Sequence, residues 1–238
     1  SDNLTVSEFI IDTTAPSLSS VTISSNNSKN TAKAKVGNTI TLSITSEESI
    51  NNPSVSIAGE TATVSGSGTS WTATYSMPSS YSDNTSVNFS IAFSDLSGNS
   101  ASHPDNSTTN GSAVQFDKTA PSLSQVTAVT SLTGDTTPDY TFNSNEAGTI
   151  TVGGDCNSDN NTAISGNNKI TFGTTSALSG GTYNNCTITV TDNADNPSSA
   201  LDVNTFTIDT TPPTLREVTA VPTPDNDSTP NYTFNSSE

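Results

Sequence analysis

Basic side chains are scarce in this chain: six Lys and Arg stand against twenty-three Asp and Glu over 238 residues, for a formal net charge of -17. Phosphate backbones and anionic lipid surfaces are held by clusters of Lys and Arg. The imbalance therefore argues against nucleic acid or an anionic membrane surface as a partner and makes cations the expected company. Long hydrophobic runs are missing too; none approaches the roughly 20 residues a helix needs to cross a bilayer, so no direct membrane insertion is expected of this segment. No secretory leader is visible, and the chain opens at Ser1 rather than Met. It reads as a processed protein or an excised fragment whose anchor, if any, lies elsewhere.

Apolar residues reach only 29%, close to the range in which chains stay disordered. Their placement argues otherwise. Val87, Phe89, Ile91 and Phe93 alternate with polar residues, as in a strand that buries one face. A disordered Ser/Thr/Asn-rich chain has no reason to keep that period.

An internal repeat settles the organisation. Pro121-Ser-Leu-Ser-Gln-Val-Thr-Ala-Val returns as Pro213-Thr-Leu-Arg-Glu-Val-Thr-Ala-Val, and Pro138-Asp-Tyr-Thr-Phe-Asn-Ser-Asn-Glu146 as Pro230-Asn-Tyr-Thr-Phe-Asn-Ser-Ser-Glu238, at a constant offset of 92 (213 - 121 and 238 - 146). A more diverged copy starts at Pro16, 105 positions before Pro121, so the first repeat carries extra loop residues. The copies are joined by Ile11-Asp12-Thr-Thr-Ala-Pro16, Phe116-Asp117-Lys-Thr-Ala-Pro121 and Ile208-Asp209-Thr-Thr-Pro-Pro213; proline there restricts the backbone and removes a donor, which suits a stiff linker. The reading is 1-15 as the last strand of a preceding repeat (Leu4 to Ile11) plus linker, 16-120 as repeat 1, 121-212 as repeat 2, and 213-238 as the first two strands of an incomplete repeat 3. The ends would be completed by neighbouring repeats or by another chain, as in strand donation.

Each period offers about seven short alternating segments separated by Gly, Asn, Asp, Ser and Pro, the spacing of an all-β sandwich. Repeat 1 predicts strands around Val21 to Ile23, Ile40 to Ile44, Val55 to Ile57, Ala62 to Val64, Trp71 to Tyr75, Val87 to Phe93 and Ala113 to Phe116. Repeat 2 predicts them around Val126 to Val129, Tyr140 to Phe142, Ile150 to Val152, Ile170 to Phe172, Cys186 to Val190 and Val203 to Ile208. Trp71, the lone Trp, is expected between the sheets rather than as a sugar-binding face. Cys156 and Cys186 fall in one repeat. An oxidising compartment would let them pair, and Cys186 falls where repeat 1 has inward-facing Phe89; the alternative is two free buried thiols.

The Asp-Thr-Thr-Ala/Pro-Pro linkers, together with Ser94-Asp95-Leu-Ser-Gly-Asn99 and Thr191-Asp192-Asn-Ala-Asp-Asn196 some twenty residues before them, resemble the bacterial immunoglobulin-like repeats of giant adhesins and other surface proteins. The resemblance covers essentially the whole chain. The usual motif of that family is Asp-x-Ala-Gly-Asn; Ser97 replaces its Ala in repeat 1 and Asp195 its Gly in repeat 2, departures that bear on the turn and not on the fold. The resemblance implies tandem immunoglobulin-like sandwiches in an elongated extracellular array, often stiffened by calcium at domain junctions.

The residues point to the same place independently. In an immunoglobulin-like sandwich the incoming linker, the turn after the second strand and the turn after the sixth share one pole. Those segments carry Asp12, Glu48 and Asp95 to Asn99 in repeat 1, Asp117, Glu146 and Asp192 to Asn196 in repeat 2, and Asp209 and Glu238 in repeat 3. Three carboxylates and an amide oxygen from separate segments suit Ca²⁺, a hard cation that takes six to eight oxygen ligands. Zinc would need recurring His or Cys ligands, which the single His103 and two Cys do not supply. The competing reading is that these Asp and Asn side chains only bond nearby backbone N–H groups in turns; the recurring Glu, not a favoured turn residue, tips the balance. Asp155-Cys-Asn157-Ser-Asp159-Asn-Asn161 starts like an EF-hand loop but lacks Gly at the sixth position and Glu at the twelfth.

Catalysis is not expected. His103 sits in a loop absent from repeat 2, no glycine-rich phosphate loop is present, and the paired carboxylates fall at junctions rather than in a cleft. The expected role is a stalk or fibre outside the cell, whose partners are neighbouring repeats or copies of the same protein, with any host or surface ligand engaged through another region. A ligand- or carbohydrate-binding adhesin module, hinted at by Tyr81 and Tyr183, and accessory repeats of a larger secreted enzyme remain as alternatives.

Overall fold

The computed structural model describes residues 10–238; most of the strand expected at Leu4 to Ile11 lies outside them. Every regular element among the described residues is a strand, and the alternation that predicts them is visible as burial. In Thr39–Ser46, Ile40, Leu42 and Ile44 face inward while Thr41, Ser43 and Thr45 face out, because successive side chains of a strand point to opposite faces of its sheet.

Repeat 1 is two packed sheets. One has the strand order Leu18–Ser25, Thr39–Ser46, Ser70–Ser76, Thr63–Ser67; the other runs Ser100–His103, Phe89–Ser94, Ser54–Ile57, Glu60–Thr61. Between them lies one apolar core that includes Val21, Leu42, Ile57, Ile91 and Phe116. Repeat 2 follows the same plan. Leu123–Thr127, Asp139–Ser144 and Gly166–Thr171 face Thr162–Ala163, Gly148–Gly153, Thr187–Thr191 and Leu201–Asp202 across a second core around Tyr140, Phe142, Phe172 and Ile188. Each repeat closes with a short parallel pairing of its last strand to the loop after its first: Gln115–Phe116 with Lys33–Ala34, and Phe206–Ile208 with Leu132–Thr133. These strand orders and the two separate cores make the chain an all-β tandem of immunoglobulin-like sandwiches.

Several strand expectations differ from the observed chain. The one at Ala62 to Val64 falls where Glu60–Thr61 of one sheet passes to Thr63–Ser67 of the other. Val87 lies just before Phe89–Ser94, and the one at Val203 to Ile208 is split into Leu201–Asp202 and Phe206–Ile208 in different sheets. The seventh strand of repeat 1 is not confined to Ala113 to Phe116. It is split into Ser100–His103, paired with the sixth strand, and Gln115–Phe116, since Pro104 interrupts the run by lacking an N–H to donate. In repeat 2 the first strand lies at Leu123–Thr127, a little earlier than expected, and carries a register shift between Gln125 and Thr127. That shift leaves Val126 48% exposed. It recurs 92 positions on, where Leu215–Thr219 pairs with Thr233–Ser236 and slips between Glu217 and Thr219. In this third unit Tyr232 and Phe234, counterparts of the buried Tyr140 and Phe142, are exposed, with no opposing sheet among the described residues.

Cys156 and Cys186 form a disulfide, Cα–Cα 5.3 Å, within the second core. Trp71 packs against the first core on the inward side of its strand, with Nε1 donating to the Gly68 carbonyl at 3.1 Å.

Candidate metal centres at the repeat junctions

Each pole is assembled from three chain segments. At the entry to repeat 2, Asp117 directly follows Gln115–Phe116, so its position is set by the parallel pairing that ends repeat 1; its N–H donates to the Ala34 carbonyl at 2.8 Å. Glu146 lies just beyond Asp139–Ser144, where the Ser144 hydroxyl holds the Glu146 carbonyl at 2.6 Å. Asp192 directly follows Thr187–Thr191 and is buried. Carboxylate oxygens of Asp117, Glu146 and Asp192 all lie within 4.8 Å of one another. The same arrangement recurs at the entry to repeat 1 with Asp12, Glu48 and buried Asp95, again within 4.8 Å, and with the Ser46 hydroxyl donating to the Glu48 carbonyl.

Asn196 and Asn99 sit at these poles through their nitrogens. Asn196 Nδ2 donates to Asp192 Oδ2 at 2.9 Å and to the main-chain carbonyl of Asp117 at 3.0 Å. Asn99 Nδ2 donates to Asp95 Oδ2 at 2.7 Å and to the carbonyl of Asp12 at 3.1 Å. The backbone N–H of each Asn also donates to Oδ1 of its Asp, at 2.7 Å and 2.8 Å. Each Asn therefore straps the incoming linker to the turn and orients the buried carboxylate. Asp209 and Glu238 belong to neither three-carboxylate group; Asp209 Oδ1 accepts the N–H of Thr211, as Asp117 and Asp12 accept from Thr119 and Thr14.

The electrostatics fit a hard cation. Burial pushes the Asp117 and Glu146 carboxyls above their ordinary range, and repulsion from Asp192 and Asp83 adds to it in both, with Asp117 itself acting on Glu146. At Asp95 burial also works upward, but hydrogen bonds from the Asn99 side chain and from the N–H groups of Asn99, Gly98 and Ser97 outweigh it and hold the carboxyl below the usual range. None of the three ion pairs among the described residues uses any of these six acids. Oxygen donors alone, concentrated and mutually repelling, suit Ca²⁺ rather than a metal that prefers nitrogen or sulfur.

The Asp155–Asn161 loop is committed to local bonding. Asn157 Oδ1 accepts from the Thr175 hydroxyl and from the N–H groups of Thr175 and Ser176, and Asp155 Oδ2 accepts from Asn185. Tyr81 meets Phe116 edge-on and Tyr183 stacks on Phe206, so both lean on their own cores. His103 Nε2 lies 2.9 Å from the Ser107 carbonyl within its loop. Sequence reading did not anticipate Asp83, which accepts from Lys118 N–H at 2.7 Å and from the Thr119 hydroxyl. It lies in the loop before the sixth strand, which no repeated motif marks.

No family model matches the chain, and no curated protein matches it. Among solved structures it is similar to the titin Ig tandem domains A164-A165 (8% identity, 82% of this chain and 95% of that chain, TM-score 0.28). It is also similar to the D00-D0 domain of intimin (13%, 78% and 98%, TM-score 0.29). A third is SGBP-B of the Bacteroides ovatus mixed-linkage glucan utilization locus in complex with a mixed-linkage heptasaccharide (17%, 82% and 48%, TM-score 0.21). At these scores the likenesses carry no argument about function, and the fold assignment rests on the strand orders above.

Proposed function

We propose that this chain is a non-enzymatic, extracellular spacer, a section of a stalk or fibre built from stacked immunoglobulin-like repeats, in which Ca²⁺ at the junction carboxylates limits bending. One observation carries the reading: at both poles the linker Asp is tied by an Asn side chain to the turn that holds the buried Asp, so the segment joining two repeats is itself part of the acidic cluster. A cation there would bond linker and sandwich at once. Rotation about the linker would then require breaking metal–oxygen bonds rather than only bending a peptide. The disulfide supports an oxidising, extracellular setting, and Asp, Glu and backbone oxygens would be the ligands.

The test is small-angle scattering with and without a calcium chelator, paired with calorimetry. The reading expects a long particle in calcium that unfolds at lower temperature once calcium is removed, because an ion that binds only the native state must stabilise it. Identical unfolding temperatures in both conditions would overturn the calcium part, and a compact particle with calcium present would overturn the spacer part.

A further inference from the structure

The Asp192 to Asn196 turn has a second face, turned toward repeat 1. Ala194 is buried, and its carbonyl accepts from Nδ2 of Asn27 of repeat 1 at 2.8 Å; Asn27 is itself buried. The next residue, Asp195, binds two lysines of repeat 1. Lys35 Nζ reaches its Oδ2 at 2.8 Å and its carbonyl at 2.6 Å, and Lys29 Nζ lies 3.7 Å from Oδ1. Both lysines belong to the loop after the first strand of repeat 1, and Asn27 braces that loop by accepting the N–H groups of Lys29 and Asn30. Elsewhere at the junction, Lys118 Nζ donates to the Ser79 and Tyr81 carbonyls, while Asp83 holds Lys118 and Thr119. The linker is thus pinned to repeat 1 at Lys118 and Thr119, and the Ala194–Asp195 turn adds a grip off the linker axis, which opposes hinging as the linker contacts by themselves could not.

The distribution of charge is selective. Lys29, Lys33, Lys35 and Lys118, four of the six basic residues in the chain, lie at this one end of repeat 1. The corresponding loop of repeat 2, Ala128 to Pro138, holds no Lys or Arg, and the Asp209 to Pro213 linker holds none either. The turn residue is selective as well. Asp195 has φ +70°, and its counterpart in repeat 1 is Gly98 at φ +95°. A left-handed backbone suits Gly and is costly for most side chains, so an Asp at this position trades backbone ease for a carboxylate aimed at the lysines.

We propose that Asp195 keys repeat 2 onto repeat 1: with Lys29, Lys35 and Asn27 it forms a clamp that holds the relative orientation of these two repeats without a bound cation. This extends the spacer reading to one particular junction. A repeat bearing Gly at the turn position, as repeat 1 does at Gly98, lacks the carboxylate and loses both ion pairs of the clamp, leaving only contacts to backbone carbonyls. Junctions along one chain therefore differ in stiffness by sequence. Asp195 is a positioning residue; it meets repeat 1 through its carboxylate and its carbonyl and leaves the fold of its own repeat to Asp192 and Asn196.

The experiment compares residual dipolar couplings of the intact chain in chelator for the wild type, for Asp195→Gly, and for Lys29→Gln with Lys35→Gln. Glycine keeps the left-handed turn, so Asp195→Gly is expected to leave the amide spectrum within each repeat unchanged. In the wild type, repeats 1 and 2 should fit one common alignment tensor. In both variants the two repeats should need separate tensors. The clamp is overturned if either variant still fits a single tensor, or if the wild type already needs two. Scattering of the chain with calcium present reports separately on the spacer reading and is insensitive to this local contact.

Discussion

The side-chain amide of Asn196 donates to the main-chain carbonyl of Asp117, 79 positions earlier, at 3.0 Å. The same nitrogen holds the buried Asp192 carboxylate. One side chain therefore links the segment that enters repeat 2 to the turn that caps it, and Asn99 does the same for Asp12 and Asp95. Asn196→Ala is expected to lower the stability of repeat 2 by about 1–3 kcal/mol, the range for leaving buried acceptors without a donor. Asn196→Asp should cost more than Asn196→Ala in chelator, because it sets a third acceptor against two existing ones. Calorimetry of the two variants checks the order; the reverse order would show that the nitrogen is not the bonding atom.

Glu146 is raised by burial and by the surrounding carboxylates, so Glu146→Gln relieves repulsion. In chelator the variant should unfold at or above the wild-type temperature. In calcium the wild type should gain about 2.7 kcal/mol at a hundred-fold excess over the dissociation constant, and the variant clearly less. Equal gains would remove Glu146 from the site.

Cys156 and Cys186 close a loop with a sequence separation of 30. Replacing both by Ala should cost repeat 2 about 3–4 kcal/mol by the loop-entropy relation. The loss should be confined to one calorimetric transition, leaving that of repeat 1 in place.

Gly66 and Gly98 both have positive φ but differ in surroundings. A Cβ on Gly66 would stand 2.3 Å from the Ser70 carbonyl oxygen, whereas one on Gly98 meets nothing within 4 Å. Gly98→Ala should cost only the backbone penalty, about 1–2 kcal/mol. Gly66→Ala must in addition push apart the Thr63–Ser67 and Ser70–Ser76 pair, so it should be the more destabilising in urea titration.

Asp139 lies on the outer face of repeat 2, where hydrogen bonds from Lys169 and Thr171 hold its carboxyl below 3.8. A depressed folded value means that its contribution is present above 3.8 and is lost as pH falls through the lower folded value. Both partners are more than half exposed, so the contribution is within about 0–1 kcal/mol after solvent screening. Wild type and Asp139→Asn should differ slightly in unfolding temperature at neutral pH and converge in acid. A gap that widens in acid would reverse the sign.

Much of the fold was legible because a sandwich strand writes its inward face into every second residue. Ile40, Leu42 and Ile44 announce their strand, and the 92-residue offset carries even the register slip of Leu123–Thr127 into Leu215–Thr219. The split of the last strand of repeat 1 was not legible, since Ala113 to Phe116 alternates well and gives no sign that Ser100–His103 already occupies the sheet edge. At the poles, the recurrence of Asp and Glu after each second and sixth strand marked which acids could meet. The use of Asn196 as a donor strap was not marked, because an amide offers both an oxygen and a nitrogen and only the neighbouring acceptors select one.

The amino-acid sequence by itself determined the all-β class, the repeat and its period, the acidic character of both poles and the cysteine pair available for a bridge. These follow from local periodicity and from side-chain chemistry that does not depend on the rest of the chain. Only the tertiary structure decided which face of the Asp192 to Asn196 turn meets the linker and which meets Lys29 and Lys35. That contact joins Lys35 to Asp195 across 160 positions, and it exists only because one sandwich ends where the next begins. No local pattern can specify a pairing whose geometry is set by the docking of two separately folded cores.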